Sequence, residues 1–232
     1  MNIGVIPARL KSTRVPEKIL VLIGGLPIII RVYQQVIQVE KLDKVIVAID
    51  DEKTQIELKK YGVTGVMTGK YHQSGTDRLA EAIKDEDADI IVNIQGDEPE
   101  IEPEIIDTLV SSFKNSDGDM ATAATSDLTE EDLENPDVVK VKLDEKEFAL
   151  DFSRQPLSGG RIFRHIGIYA FKRKSLKKFT GLPPSKIEIE QKLEQLRALD
   201  NGISIHTILT NYRGRGVDTP EDLKRLEMKY AS

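Results

Sequence analysis

Cysteine and tryptophan are absent from the 232 residues, and histidine occurs only three times. The missing cysteines exclude disulfides, thiolate metal sites and cysteine nucleophiles together. His72, His165 and His206 show no metal-ligand spacing, which argues against a zinc site. No apolar run approaches the length of a membrane span, and the chain enters a strand directly rather than a signal peptide. A soluble, cytoplasmic protein without a membrane partner is expected. The phosphate-binding pattern Gly-x-x-x-x-Gly-Lys-Ser/Thr is missing too, which disfavours an ordinary ATPase. Basic residues fall short of acidic ones, 33 against 39, for a net charge of −6. A molecule with that balance repels nucleic acid as a whole, so any anion site has to be a local cluster. Internal repeats, low-complexity segments and Gly-, Ser- or Pro-rich linkers are also lacking. The chain reads as a single domain, residues 1–232, long enough to bury a core.

What is present is concentrated at the start. Residues 2–7 form a short apolar run of strand length closed by Pro7, and the stretch 8–18 that follows is polar and basic. One loop thereby carries Arg9, Lys11, Arg14 and Lys18, a set suited to a polyphosphate whose oxygens change charge during phosphoryl transfer. Ala8, Ser12 and Thr13 are small enough for backbone N–H groups to approach such a ligand. Taken alone, the loop reads equally well as a solvated basic segment.

Further along, Gly24-Gly25 marks a turn, and Pro27 opens a helix that runs through Val36. A buried strand at 44–49 ends at Asp50-Asp51, which cap a helix over 52–61 stopped by Gly62. A short strand at 63–67, a polar loop, a helix over 77–84, a strand at 89–94 and a helix over 103–113 follow. This alternation implies right-handed crossovers and a mostly parallel sheet covered on both faces. Ligands in such sheets bind outside the carboxyl ends of the strands. The basic loop, Ser74-Gly75-Thr76 and Gln95-Gly96-Asp97 all fall at that edge. Beyond residue 117 the pattern turns β-rich. Strands are expected at 120–124, 138–143, 147–152, 161–171 and 204–210, with a hairpin at 144–146 and a break at Gly167. Helices are expected at 175–178, 187–199 and 220–229. The fold class is therefore α/β, a mostly parallel sheet with a β-rich insertion.

Each candidate residue has a plain structural reading beside the chemical one. Asp97 lies just past a strand beside a glycine, where a carboxylate can hold Mg²⁺ or simply close a turn. Asp218 can hold metal, or Asp218 or Thr219 can cap the last helix ahead of Pro220. Ser74, Gly75 and Thr76 open a helix, as ordinary caps or as a cradle for a base or phosphate. His165, Gly167 and Tyr169 share one face of a strand, where a lone histidine is more often structural. Glu194 and Gln195 read first as the solvated face of a helix.

Taken together, these stretches resemble one family closely. They are Val-Ile-Pro-Ala-Arg with Ser-Thr-Arg-Val-Pro, His72-Gln-Ser-Gly-Thr-Asp-Arg-Leu, Val92-Asn-Ile-Gln-Gly-Asp-Glu-Pro, Asn135-Pro with Val-Lys140-Val, Phe152-Ser-Arg154, Arg164-His-Ile-Gly-Ile-Tyr169, Leu193-Glu-Gln-Leu-Arg197 and Gly216-Val-Asp-Thr-Pro-Glu-Asp-Leu223. In this order, from the first strand to the last helix, they are similar to the CMP-KDO synthetases, or 3-deoxy-manno-octulosonate cytidylyltransferases. The resemblance implies a three-layer α/β nucleotidyltransferase fold, with residues 1–115 as a nucleotide-binding half and 116–232 as a sugar-binding and dimerisation half. It implies transfer of CMP from CTP to an eight-carbon 3-deoxy-2-keto sugar acid, with release of pyrophosphate. Arg9 and Lys18, assisted by Arg14, would bind the triphosphate, Ser74, Gly75 and Thr76 would contact the nucleoside, and Ala8 would be among the nucleotide-binding residues. Gln95 would serve both nucleotide and sugar, and Asp97 with Asp218 would hold Mg²⁺. Arg154, His165, Tyr169, Glu194 and Gln195 would line the sugar pocket. A homodimer supplying lipopolysaccharide or capsule precursors is implied as well.

Two departures from the family pattern stand out. Asp151 replaces an aromatic residue before Phe-Ser-Arg, and the segment 155–160 is shorter than the loop usually found there. An acidic residue near an anionic sugar calls for an offsetting cation, either a protein Lys or Arg or the ammonium of 8-amino-KDO. Rival readings are therefore activation of 8-amino-KDO or a nonulosonic acid, and a non-catalytic nucleotide-sugar sensor on the same fold.

Overall fold

The computed structural model describes residues 1–230 apart from Thr13, Gln73 and Arg215. Thr13, expected to let the backbone approach a ligand, thus lies outside the described residues. The chain forms two compact units. The first comprises residues 1–87, 93–104 and the chain from 214 onward, and the second residues 88–92 and 105–213. The halves expected at 1–115 and 116–232 differ from these units, because the C-terminal stretch returns to the first.

The first unit is built on β1 (Asn2–Ala8), whose Ile3, Val5 and Ile6 are fully buried. A hairpin of β2 (Leu22–Ile23) and β3 (Leu26–Pro27) follows, turned by Gly24 and Gly25. Both glycines sit at positive φ, as two-residue hairpin turns of this kind require. Pro27 then caps α1 (Ile28–Val36), which buries Ile28, Ile29, Val32 and Val36 along one stripe. β4 (Lys44–Ile49) pairs in parallel with β1, Ile3 lying opposite Lys44 and Ala8 opposite Ile49. Asp51 caps α2 (Glu52–Lys59) by accepting the Lys53 N–H at 3.0 Å. The strand expected at 63–67 shrinks to β5 (Val66–Met67), parallel to β4. Its exposed side chains mark it as an edge strand, where a short length limits unwanted pairing. α3 (Gly75–Ala82) begins two residues earlier than expected, because Ser74 takes the cap position.

The chain passes into the second unit through β6 (Ile90–Asn93) and α4 (Pro103–Lys114). β7 (Met120–Thr125) is followed by α5 (Glu130–Glu134), a turn of helix that the apolar pattern does not signal. Its cause is a capping box in which Thr129 and Asp132 exchange backbone bonds. β8 (Lys140–Leu143) and β9 (Ala149–Ser153) form the expected hairpin, and β10 (Arg161–Lys172) pairs first with β8 and then with β7. The helix expected at 187–199 breaks in two. After α6 (Arg173–Thr180), α7 (Lys186–Gln191) ends at Lys192 in the left-handed region, and α8 (Gln195–Asp200) starts afresh. β11 (Ile205–Thr210) runs parallel to β7, and the strand order is β11-β7-β10-β6.

α9 (Pro220–Tyr230) belongs again to the first unit. Thr219 caps it, its hydroxyl accepting the Asp222 N–H at 3.2 Å. Glu100 fastens its far end through Arg225, at 2.8 Å, and Lys229. The Arg31 guanidinium lies 3.8 Å over the Tyr230 ring. Among the described residues no helix is long and apolar enough to cross a membrane.

Burial raises the Glu100 carboxyl, but hydrogen bonds from Lys229 and Arg225 outweigh it, and the net shift is downward. A depressed carboxyl contributes stability above its unfolded value and loses it as pH falls. Glu100→Gln is expected to cost about 1 kcal/mol at pH 7. In urea titrations that cost should vanish once the solution is acidic enough to protonate the wild-type carboxyl; an equal cost at both pH values would show that the clamp is not ionic.

Candidate active site

In the first unit a cleft of about 200 Å³ opens at the carboxyl end of β1. Arg9, Lys11, Ser12 and Lys18 line one side, and His72, Ser74, Gly75, Arg78, Gln95 and Asp97 line the rest. Gly96 packs so close to Pro7 that an added Cβ would stand 2.8 Å from the Pro7 carbonyl oxygen. Glycine is therefore required at Gly96 to bring Gln95 and Asp97 up to the basic loop.

The centre of the site is an ion cluster. Lys18 Nζ donates to Asp97 Oδ2 at 2.5 Å, to the Val217 carbonyl at 2.7 Å and to Asp218 Oδ1 at 3.3 Å. Arg14 reaches the same Asp218 oxygen at 2.7 Å. The Val217 N–H donates to the Asp97 carbonyl at 2.8 Å, so backbone as well as side chains join the two aspartate segments. Thr219, not Asp218, caps α9, which leaves the Asp218 carboxylate for the cluster. Lys18 is mostly buried and Asp218 about half exposed, so the cluster opens toward solvent on the Asp218 side.

Other expected site residues take different places. Ser74 spends its hydroxyl on the helix, accepting the Asp77 N–H and donating to Asp77 Oδ2. Thr76 is buried behind the cleft, where its hydroxyl accepts from the Asn93 amide at 3.1 Å. Ala8 is fully buried in β1.

Arg154, His165, Tyr169, Glu194 and Gln195 all belong to the second unit, and among them the His165 and Tyr169 rings stand against each other. β10 carries two extra residues between Ile166 and Tyr169, as the register against β7 shows. Because the insertion is even, His165 and Tyr169 stay on one face, with ring centroids 5.5 Å apart. The Thr122 hydroxyl fills the irregularity. It donates to the Ile168 carbonyl at 2.8 Å and so accepts from His165 Nε2 at 2.9 Å, which leaves Nδ1 as an acceptor. His165 keeps partial exposure, yet its imidazole sits against Phe152 and Tyr169, and burial pushes its pKa down to about 3. The ring is neutral above that pH. Arg154 Nε donates to the Gln191 carbonyl at 3.0 Å, and Nη1 to the Pro136 carbonyl at 2.9 Å. Glu194 and Gln195 begin α8, and they do so because the helix breaks at Lys192. Glu188 of α7 and Arg197 of α8 clamp that break with a buried, two-pronged ion pair of 2.5 and 2.8 Å.

A cytidylyltransferase family model matches residues 3–205. The chain is 44% identical to the 3-deoxy-manno-octulosonate cytidylyltransferase of Chloroherpeton thalassium, over 96% of this chain and 95% of that protein. It is 41% identical to the enzyme of the same name from Thermodesulfovibrio yellowstonii, over 98% and 97%. The chain belongs to the 3-deoxy-manno-octulosonate cytidylyltransferase family. A solved structure of a CMP:2-keto-3-deoxy-manno-octonic acid synthetase complexed with CTP superposes with a TM-score of 0.94. That protein is 37% identical, with 99% of this chain and 98% of that one covered. The α/β class with a mostly parallel sheet agrees with this relationship.

Three features of the first site escaped the motif pattern. Asp50, which reads as a cap, instead accepts the Leu10 N–H at 2.9 Å and so holds the basic loop. Its other oxygen takes the buried Arg78 at 3.0 Å. Glu81 holds His72 at the cleft wall, and the bonds from His72 and the Gly69 N–H keep its carboxyl below the usual range. A buried arginine three residues past a helix start is the only sequence signal, and it reads as surface charge until the fold covers it.

Asp151 also receives a structural account. Its carboxylate accepts the Phe152 N–H at 2.8 Å, and strand pairing sets it directly across from Lys142. Lys142 in turn donates to the Ser158 carbonyl and lies along Gly160 in the short 155–160 segment.

Asp50→Ala would leave the Arg78 guanidinium buried without its carboxylate. Its loss is expected to cost about 3 kcal/mol in urea unfolding. A cost no larger than that of an exposed pair would mean that Thr68 and solvent satisfy Arg78 alone.

Proposed function

We propose that the protein transfers CMP from CTP to 3-deoxy-manno-octulosonate, forming the CMP-sugar and releasing pyrophosphate. The observation that carries this reading is the Lys18 cluster, in which two carboxylates from distant segments converge beside a basic cleft. Asp97 and Asp218 already accommodate one cation between them in the form of the Lys18 ammonium, and both are the hard oxygen donors that Mg²⁺ takes. They would hold that ion with CTP. Bound there, Mg²⁺ neutralises phosphate charge and makes the sugar hydroxyl more acidic.

Arg9 and Lys18 bind the triphosphate and stabilise the charge that grows on the departing pyrophosphate. The anomeric oxygen of the sugar forms the new bond to the α-phosphorus as the bond to the β-phosphate oxygen breaks, and the hydroxyl proton leaves to solvent. No covalent intermediate with the protein is needed. Gly75 and Gln95 face the cleft where the nucleoside is read. In the second unit Arg154 supplies positive charge for the sugar carboxylate, and neutral His165 offers Nδ1 to a sugar hydroxyl. Lys142 opposite Asp151 supports KDO over its 8-amino relative, because a protein cation already stands across from that carboxylate. The retained aspartates and phosphate cations support an enzyme over a sensor, since binding alone does not require that full set. A cytoplasmic homodimer supplying cell-envelope precursors completes the reading, with exposed Leu150 and Ile189 as apolar surface for a second copy.

Asp97→Asn and Asp218→Asn are each expected to remove most turnover while leaving the fold intact, a loss of several kcal/mol of transition-state stabilisation. Pyrophosphate release with saturating Mg²⁺ and KDO measures it, and near-normal turnover in both variants would sink the two-carboxylate proposal. In single-turnover competition CTP should be strongly preferred to UTP and ATP, because a base of the wrong pattern leaves buried polar groups unpaired. Equal use of the three would remove base reading from the cleft.

A further inference from the structure

Lys140 is the most unusual titratable residue of the second unit. It lies on β8 with no solvent exposure, although lysine is among the residues least often buried completely. Its ammonium has three protons, and each meets a backbone carbonyl: Asn135 at 3.0 Å, Val138 at 2.9 Å and Arg154 at 2.7 Å. Burial lowers its pKa from the ordinary lysine value, opposed by the charges of Glu134 and Asp132 and reinforced by Arg154. Holding a charge in such a place is costly, and a hydrophobic residue of similar length would serve packing alone at least as well.

The carbonyls it selects explain why a charge is kept. Two belong to the turn 135–138, closed by the Val138 N–H on the Asn135 carbonyl and the Asp137 N–H on the Asn135 side chain. The third is the carbonyl of Arg154 itself. The same turn supplies the Pro136 carbonyl that accepts Arg154 Nη1. Lys140 therefore grips Arg154 twice, directly at its backbone and through the turn that steers its guanidinium. Arg154 Nε and Nη1 are committed to carbonyls, and among the described residues Nη2 has no hydrogen-bond partner.

We propose that Lys140 is a positioning residue for the sugar acid: its buried ammonium fixes the backbone and the guanidinium of Arg154 so that the remaining N–H groups meet the sugar carboxylate. The inference rests on the assignment of Arg154 to the sugar site. Lys140 touches no substrate, and its effect passes through Arg154.

The test is a double-mutant cycle on the full-length protein with Lys140→Met, Arg154→Ala and the pair, read as the KM for KDO, the affinity for CTP by calorimetry, and the thermal midpoint. Lys140→Met is expected to raise the sugar KM by about tenfold or more, the usual scale for losing a well-placed charged hydrogen bond. CTP affinity should stay within about twofold, and in the Arg154→Ala background Lys140→Met should add less than about twofold to the sugar KM. Lys140→Gln, which keeps two donors, should recover part of the loss and takes the place of Lys140→Met if the latter does not fold. If Arg154→Ala leaves the sugar KM unchanged, the sugar-site assignment itself fails. If Arg154→Ala raises it but Lys140→Met does not, or if the two effects multiply in the double variant, Lys140 is not a positioning residue. Parallel loss of CTP and sugar binding, or unfolding of both Lys140 variants, would make it a purely structural lysine and overturn the proposal.

Discussion

The first unit depends on one interaction, the bonding of the Lys18 ammonium to Asp97, Asp218 and the Val217 carbonyl. Two carboxylates that share one ammonium repel one another, and without a cation between them they would move apart. Lys18 supplies that cation from a loop that starts at the end of β1. Residues separated by about two hundred positions in the chain are thereby held within one cluster, with the return of the C-terminal stretch as the covalent means. The surrounding bonds serve the same arrangement. Glu100 secures α9 behind Asp218, Asp50 ties down the loop that carries Arg9, and Gly96 lets the Asp97 segment approach Pro7.

The second unit solves a related problem with buried charge. The buried Lys140 and Glu188–Arg197 pair, and the half-buried Arg154, direct their charged groups into backbone or into each other. Arrangements of this kind contribute little net stability compared with an apolar core. What they contribute is geometry. The Glu188–Arg197 pair sets the break that starts α8 at Glu194 and Gln195, and Thr122 sets the ring orientation of His165 within an irregular strand. Groups held in this way present donors and acceptors at set positions instead of apolar surface.

Much of this was legible in the residues because it follows from local chemistry. The apolar run of β1, the glycine turn before α1, the Asp51 and Thr219 caps and the hairpin at 144–146 each depend on neighbours a few positions away. The basic loop and the Gln95-Gly96-Asp97 turn were also visible, since strand ends in an alternating α/β pattern share one edge. The two-residue β5, the unexpected α5 and the split of 187–199 were not, because each is decided by packing or a cap that overrides hydrophobic periodicity.

By itself the sequence determined the α/β class, the position of the cation-rich loop and the family to which the chain belongs. Those properties rest on periodicity, turn chemistry and ordered motifs, all of which are written along the chain. Only the tertiary structure decided that Lys18 stands between two aspartates, that Asp50 serves Leu10 and Arg78 instead of a helix cap, and that Lys140 is a buried brace instead of a surface lysine. The physical reason is that the state and partner of a charged side chain depend on what surrounds it in space. A lysine in a β-strand has the same local pattern whether it faces water or three carbonyls, and burial by distant segments makes the difference.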